Sequence, residues 1–258
     1  MSLFYSMKKL ILISFFISSF TLAQTIEKIH HKDTIHWNGF VVNNNQWGIN
    51  KIKQGNYNQI IYKNDNKIGW NWEVPVKSYG VLGYPMISIG ESTWESLINV
   101  ASPNYFKNIT EIKKFNVLYD TELWTTDGKY NLAVDFWLHD QPKVAFETIA
   151  AEVMIWEDYQ KFKPFGKKKG KIKTSNGDYT VYVGDLYKKD LKKGWKYIAF
   201  VRQQKRTKGQ LDLLPFIQYM QNNQLLNGAI YLSSFEFGTE VLNASGKIKI
   251  KDYSILIE

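Results

Sequence analysis

The chain has no cysteine, so neither a disulfide scaffold nor a lipid-anchored amino terminus is open to it, and its fold must be held by a core. Histidine is scarce, and His30, His31, His36 and His139 do not fall at metal-ligand spacing. No metal and no cofactor is therefore expected. No Gly-x-Ser-x-Gly elbow occurs, which argues against a serine nucleophile of the usual hydrolase kind. No apolar run reaches the roughly 20 residues that span a bilayer. Proline and serine form no linker, no internal repeat is visible, and the composition does not break along the chain, so one domain is expected.

The amino terminus has the layout of a secretory signal. Lys8 and Lys9 precede the apolar run 10–20, and Thr21-Leu22-Ala23 offers the small residues that a signal peptidase needs. Cleavage after Ala23 would leave 24–258 as one domain, secreted to the medium or periplasm, with no membrane attachment. Removing the two leader lysines lowers the net charge from +9 by two, so the chain stays basic. Its lysines are spread out; the densest run, Lys167-Lys168-Lys169-Gly170-Lys171, reads as a solvated hairpin end, and the lysine-rich stretch 161–173 as an exposed loop. Nucleic acid is not an expected partner. Aromatic residues make up 16% of the chain, with nine tryptophans, more than a core of this size requires. Some of those rings are expected to face a ligand.

Short strands parted by turn residues imply an antiparallel sandwich. Turns fall at Asn38-Gly39, Asp127-Gly128 and Asn176-Gly177, and the last two are read as hairpins over 122–130 and 171–183. One segment departs from the strand period. Over 212–228, Leu213, Phe216, Ile217 and Met220 recur at helical spacing, with Asp212 to cap the start and Gly228 to stop the turn. The expected class is all-β: a sandwich of two antiparallel sheets with one short packed helix.

Side chains at i and i+2 share one face of a sheet. Over 131–139 the core face is Leu132, Val134, Phe136 and Leu138, and the other face carries Asn131, Ala133, Asp135, Trp137 and His139. Over 148–156, Ile149, Ala151, Val153 and Ile155 point inward, leaving Ala150, Glu152, Met154 and Trp156 opposite. Over 231–240 the inward set is Tyr231, Ser233, Phe235 and Phe237, and the outward set is Leu232, Ser234, Glu236, Gly238 and Glu240. Any one such carboxylate by itself is better read as facing water. Carboxylates sharing a surface with indole and thioether groups suggest a sugar-binding cleft, because rings cover the C–H faces of a pyranose while carboxylates bind its hydroxyls. Two carboxylates across a glycosidic bond are the minimum equipment for cleaving it.

These segments resemble glycoside hydrolase family 12, endoglucanases and xyloglucanases built as β-jelly-rolls. Glu152-Val153-Met154-Ile155-Trp156 is similar to the family's nucleophile strand, and Phe237-Gly238-Thr239-Glu240 to its acid/base strand. Asn44-Asn45-Gln46-Trp47-Gly48 resembles a substrate-binding segment, Trp70-Asn71-Trp72 a sheet motif, and Pro164-Phe165-Gly166 the loop across the cleft. Asn131-Leu132-Ala133-Val134-Asp135 resembles the strand whose Asp supports the nucleophile, and Phe216-Ile217-Gln218-Tyr219-Met220 the lone helix. Gln46 stands as an insertion, Val134 where tyrosine is common, and Val241 where proline is frequent.

The resemblance implies a retaining, endo-acting β-1,4-glucan hydrolase, with a β-glucan polysaccharide as partner and a monomeric state. Glu152 would be the nucleophile, Glu240 the general acid/base, and Asp135 a hydrogen-bonding support for Glu152. The two carboxyl groups should then lie about 5–5.5 Å apart. Asn45, Trp47, Trp72, Trp137, Met154, Trp156, Pro164 and Glu236 would bind substrate, with Trp47 as a stacking platform and Met154 and Trp156 as floor and wall. A xylanase or mixed-linkage glucanase would share the chemistry and differ in the cleft. A non-catalytic lectin would keep the tryptophans without needing both glutamates.

Overall fold

The computed structural model describes residues 26–29, 33–74, 77–94, 99–100, 106–189 and 192–258. The expected leader, 1–23, lies outside them, as do His30 and His31. Two sheets pack face to face as a β-jelly-roll sandwich. The larger runs in the order Lys167–Thr174, Gly177–Lys188, Lys193–Arg202, Ile149–Gln160, Tyr130–His139, Tyr231–Val241, Tyr84–Glu91, Phe40–Asn45, Thr34–Trp37. The smaller runs Ile26–Ile29, Asn58–Asn64, Lys67–Glu73, Gly246–Ile257, Phe115–Thr125, Lys208–Asp212. Pairing is antiparallel except between Ile149–Gln160 and Lys193–Arg202, which run parallel with Glu152 opposite Tyr197. One core fills the space between the sheets. It takes Leu132, Val134, Phe136 and Leu138 from one strand and Ala151, Val153 and Ile155 from the next, as the alternation predicts.

The turn at Asn38-Gly39 joins two strands in which Trp37 faces Phe40, with both turn residues at positive φ, the geometry that Asn-Gly permits at little cost. The Asn176 hairpin also forms, with Thr174 opposite Gly177. The turn at Asp127-Gly128 does not close a hairpin. Its flanking strands, Phe115–Thr125 and Tyr130–His139, belong to different sheets, so the turn carries the chain across the sandwich. A Cβ on Gly128 would sit 2.6 Å from the Asn243 carbonyl, so close packing on that neighbour determines the turn. The lysine-rich stretch is a loop only over 161–166; Lys167–Thr174 is the exposed edge strand of the larger sheet, where charge discourages pairing with other chains.

The helix spans Leu214–Asn222 and buries Phe216, Ile217 and Met220. Asp212 is not the cap expected of it: the N-cap position is Leu213, which makes no side-chain cap, and Asp212 lies one residue earlier, accepting the Leu214 N–H at 3.1 Å across a local turn. Gly228 plays no part in the end, because Asn223 closes the last turn by donating to the Tyr219 carbonyl at 2.8 Å. Phe216 meets the rings of Tyr179 and Phe200, each at 4.9 Å, which anchors the helix on the larger sheet.

Candidate active site

The open face of the larger sheet forms a trough of about 840 Å³. Its floor is three adjacent strands, Ile149–Gln160, Tyr130–His139 and Tyr231–Val241, each alternating one apolar row into the core with one functional row into the trough. Asp135, Glu152, Glu236 and Glu240 all line it. Asp135 stands directly opposite Glu236, and Glu152 opposite Trp137. Asp135 and Glu236 are buried, whereas Glu152 and Glu240 keep part of their surface open to the trough.

Burial dominates the electrostatics, since moving a carboxylate away from water favours its protonated form. It lifts Glu152 to about 7, against which a hydrogen bond from Trp195 acts downward. It lifts Glu240 to about 8, helped by the charge of Glu152 and opposed by Asn131 and the Lys51 ammonium. Asp135 is raised well above the ordinary carboxylate range, first by burial and then by the charges of Glu152, Glu236 and Glu240. Glu240 is thus the glutamate stored as an acid at neutral pH, while Glu152 is the one of the pair that ionises first.

Each glutamate is held by a different neutral donor. The Glu152 Oε2 accepts the Trp195 indole N–H at 3.1 Å. The Glu240 Oε2 accepts from Asn131 Nδ2, and the Asn131 Oδ1 accepts the Glu240 backbone N–H at 3.0 Å. Asp135 stands diagonally from Glu152 across the strand pair, Asp135 opposite Met154 and Glu152 opposite Trp137, and the Asp135 Oδ1 is buried without a partner.

Of the other expected residues, Asn45, Trp47, Trp137, Met154 and Pro164 line the trough with Glu236. Asn45 holds the approach to Trp47 by accepting its backbone N–H at 3.1 Å. Trp47 is 52% exposed, with the Lys51 ammonium 3.7 Å from its ring centroid. Two expectations fail. Trp72 belongs to the smaller sheet and lies in the core, its indole donating to the Ala244 carbonyl at 2.6 Å. Trp156 is on the correct face but fully covered, with the Phe162 ring 4.8 Å away from its own. It supports the trough from beneath rather than walling it.

The alternation also slips: Ala150, expected on the trough side, packs against the core beside an irregularity in the pairing of Ile149–Gln160. Tyr231–Val241 carries an irregularity between the pairs Trp137/Ser234 and Leu138/Leu232, so Leu232 enters the core and Ser233 turns to His139, 3.0 Å from its Nε2. Beyond that bulge Tyr231 is a half-buried residue stacked on Phe106 rather than a core residue. His139 is pinned by Thr148 on its other nitrogen at 2.8 Å, and burial pushes it down to about 4, so it is a neutral hydrogen-bonding residue.

Trp94 and Trp195 also line the trough, and neither stood out in the sequence. Trp195 had a signal: Trp195, Tyr197 and Ala199 alternate with the core residues Ile198 and Phe200. Trp94 lies in a connection, where no period operates.

The profile of glycosyl hydrolase family 12 matches residues 38–258. The chain is similar to endoglucanase S of Pectobacterium parmentieri, 28% identical over 221 residues that cover 84% of this chain and 81% of that protein. It is 25% identical to the xyloglucan-specific endo-β-1,4-glucanase A of Emericella nidulans over 251 residues, 93% of this chain and 95% of that one. Among solved structures, a family 12 xyloglucanase of Bacillus licheniformis in complex with ligand superposes with a TM-score of 0.80 at 25% identity, covering 91% of this chain and all of that one. An endoglucanase of Rhodothermus marinus shares the fold with a TM-score of 0.73 at 21% identity, over 90% of this chain and 99% of that one. With the profile spanning most of the chain and the jelly-roll matching throughout, this protein belongs to glycosyl hydrolase family 12.

Proposed function

We propose that the protein is an exported, retaining endo-β-1,4-glucanase in which Glu152 is the nucleophile and Glu240 the general acid/base. The observation that carries this reading is that two half-buried glutamates from separate strands line one trough, close enough for the charge of Glu152 to raise the affinity of Glu240 for its proton. The first step needs Glu152 ionised and Glu240 protonated, the order in which the two release their protons.

Glu152 attacks the anomeric carbon as the glycosidic C–O bond breaks, and Glu240 passes its proton to the departing oxygen. The product is a glycosyl ester on Glu152. Water then enters, Glu240 takes its proton, and the Glu152 carboxylate is released with the configuration at the anomeric carbon retained. Asp135, diagonal to Glu152 across the strand pair, supports the nucleophile. A carboxyl separation near 5–5.5 Å belongs to this mechanism. The names of the relatives, an endoglucanase and xyloglucanases, support a β-1,4-glucan backbone as substrate. An open trough with an exposed Trp47 suits binding in mid-chain.

The test is a reducing-sugar assay on xyloglucan, mixed-linkage β-glucan, carboxymethylcellulose and xylan with wild type, Glu152→Gln and Glu240→Gln. Each substitution should cut turnover by several orders of magnitude on the glucan that wild type cleaves, with the fold intact. Proton NMR of the first product should show the β-anomer. Near-wild-type activity in Glu152→Gln, or an α-anomer formed first, refutes the assignment.

A further inference from the structure

We propose that Trp195 is a positioning residue for the nucleophile, fixing the Glu152 carboxylate through its indole N–H. This rests on the reading of Glu152 as nucleophile and adds to it the group that aims it. The Nε1 to Oε2 distance is 3.1 Å, and this is the one side-chain hydrogen bond that Glu152 receives among the described residues. Tyr197, the parallel-strand partner of Glu152, directs its hydroxyl to the Met154 sulfur at 3.3 Å instead.

The donor is itself immobilised. Its ring contacts Trp94 at 5.7 Å, Trp137 at 6.0 Å and Phe146 at 6.0 Å, the last edge-on at 90°. Trp137 is also the cross-strand neighbour of Glu152, so one set of rings both screens the carboxylate from water and locks the N–H that serves it. A neutral donor suits this task. An Arg or Lys here would hold the carboxylate as an ion pair and blunt its nucleophilicity, whereas an indole N–H orients it and favours the ionised form without adding charge. Burial and the Trp195 bond act on Glu152 in opposite directions, consistent with a group that offsets desolvation.

The experiment uses a 2-deoxy-2-fluoro cello-oligosaccharide bearing an activated leaving group, which accumulates the glycosyl ester, with mass spectrometry to locate the label and kcat/KM measured across pH. Wild type should be labelled on Glu152. Trp195→Phe keeps the ring packing and loses the N–H. It should be labelled at least tenfold more slowly, with the acid limb of its profile displaced to higher pH and KM little changed. Trp195→His, which retains a ring N–H, should recover part of both. If Trp195→Phe does not fold, the comparison runs between Trp195→His and Trp195→Met. Labelling at the wild-type rate, or slower labelling with an unmoved acid limb and no recovery by His, overturns the proposal while leaving the nucleophile in place. A wild-type label on another residue overturns the underlying reading as well.

Discussion

Asn131 grips Glu240 twice: its amide nitrogen donates to the Glu240 carboxylate, and its amide oxygen accepts the Glu240 backbone N–H at 3.0 Å. The two residues are cross-strand partners, so the amide is delivered by register rather than by a flexible loop. A hydrogen bond to a carboxylate stabilises its charged form, and Asn131 accordingly acts to lower the Glu240 pKa. Asn131→Ala should move the alkaline limb of kcat/KM to higher pH and reduce kcat by roughly tenfold, as loss of one orienting contact does. An alkaline limb that stays put would show that Asn131 serves only the backbone.

The wild-type profile should be a bell displaced toward neutrality. Its rising limb reports ionisation of Glu152, lifted to about 7, and its falling limb reports loss of the Glu240 proton, lifted to about 8. The two steps belong to the coupled pair rather than to separate groups. Initial rates on a soluble glucan between pH 4 and 10 check this, and a maximum in the acid range expected of exposed carboxylates would contradict it.

Function here opposes stability. A carboxyl whose folded pKa is raised contributes its full stability below the unfolded value and loses it as pH climbs through the folded value. For Glu152 that window runs from the ordinary glutamate value of 4.5 to about 7. Glu152→Gln removes the ionisation, so it should stabilise the fold at pH 8 by on the order of 1–3 kcal/mol and leave it nearly unchanged at pH 4. Thermal melting of both proteins at the two pH values decides it.

Trp47 and Trp72 should separate cleanly. Trp72→Ala empties a core site and should cost roughly 3–5 kcal/mol with little effect on the kcat of folded molecules. Trp47 is exposed in the trough, so Trp47→Ala should stay within about 0.5 kcal/mol in stability and raise KM on polymeric glucan. Denaturant titration beside steady-state kinetics distinguishes the two.

What was legible in the chain follows from how far each signal reaches. The alternation that placed Asp135, Glu152, Glu236 and Glu240 away from the core is a property of each strand's own backbone and survived folding at all four positions. The same rule puts Glu157 on the core row, where it is fully buried and bonded to Tyr119, Tyr179 and Arg206. Those partners come from two other strands and, for Arg206, from a connection, so the sequence offers the position of Glu157 without its neutralisation. The rule failed at Ser233, where a bulge inserted one residue and reversed the faces of what precedes it. Trp72 went wrong for another reason: an indole marks a large apolar surface and does not say which side of which sheet will cover it.

Local stereochemistry and side-chain spacing determined by themselves the strand class, the acidic row, the short helix and the resemblance to the family. Tertiary structure alone decided that the Asp127-Gly128 turn crosses between sheets, that Trp94, Trp137 and Trp195 meet, and that Glu152 accepts a hydrogen bond from an indole. The physical reason is range. A strand's alternation is written over a few residues, whereas Glu152, Trp195 and Glu240 are brought to one trough by strand order and sheet packing, which no short segment encodes.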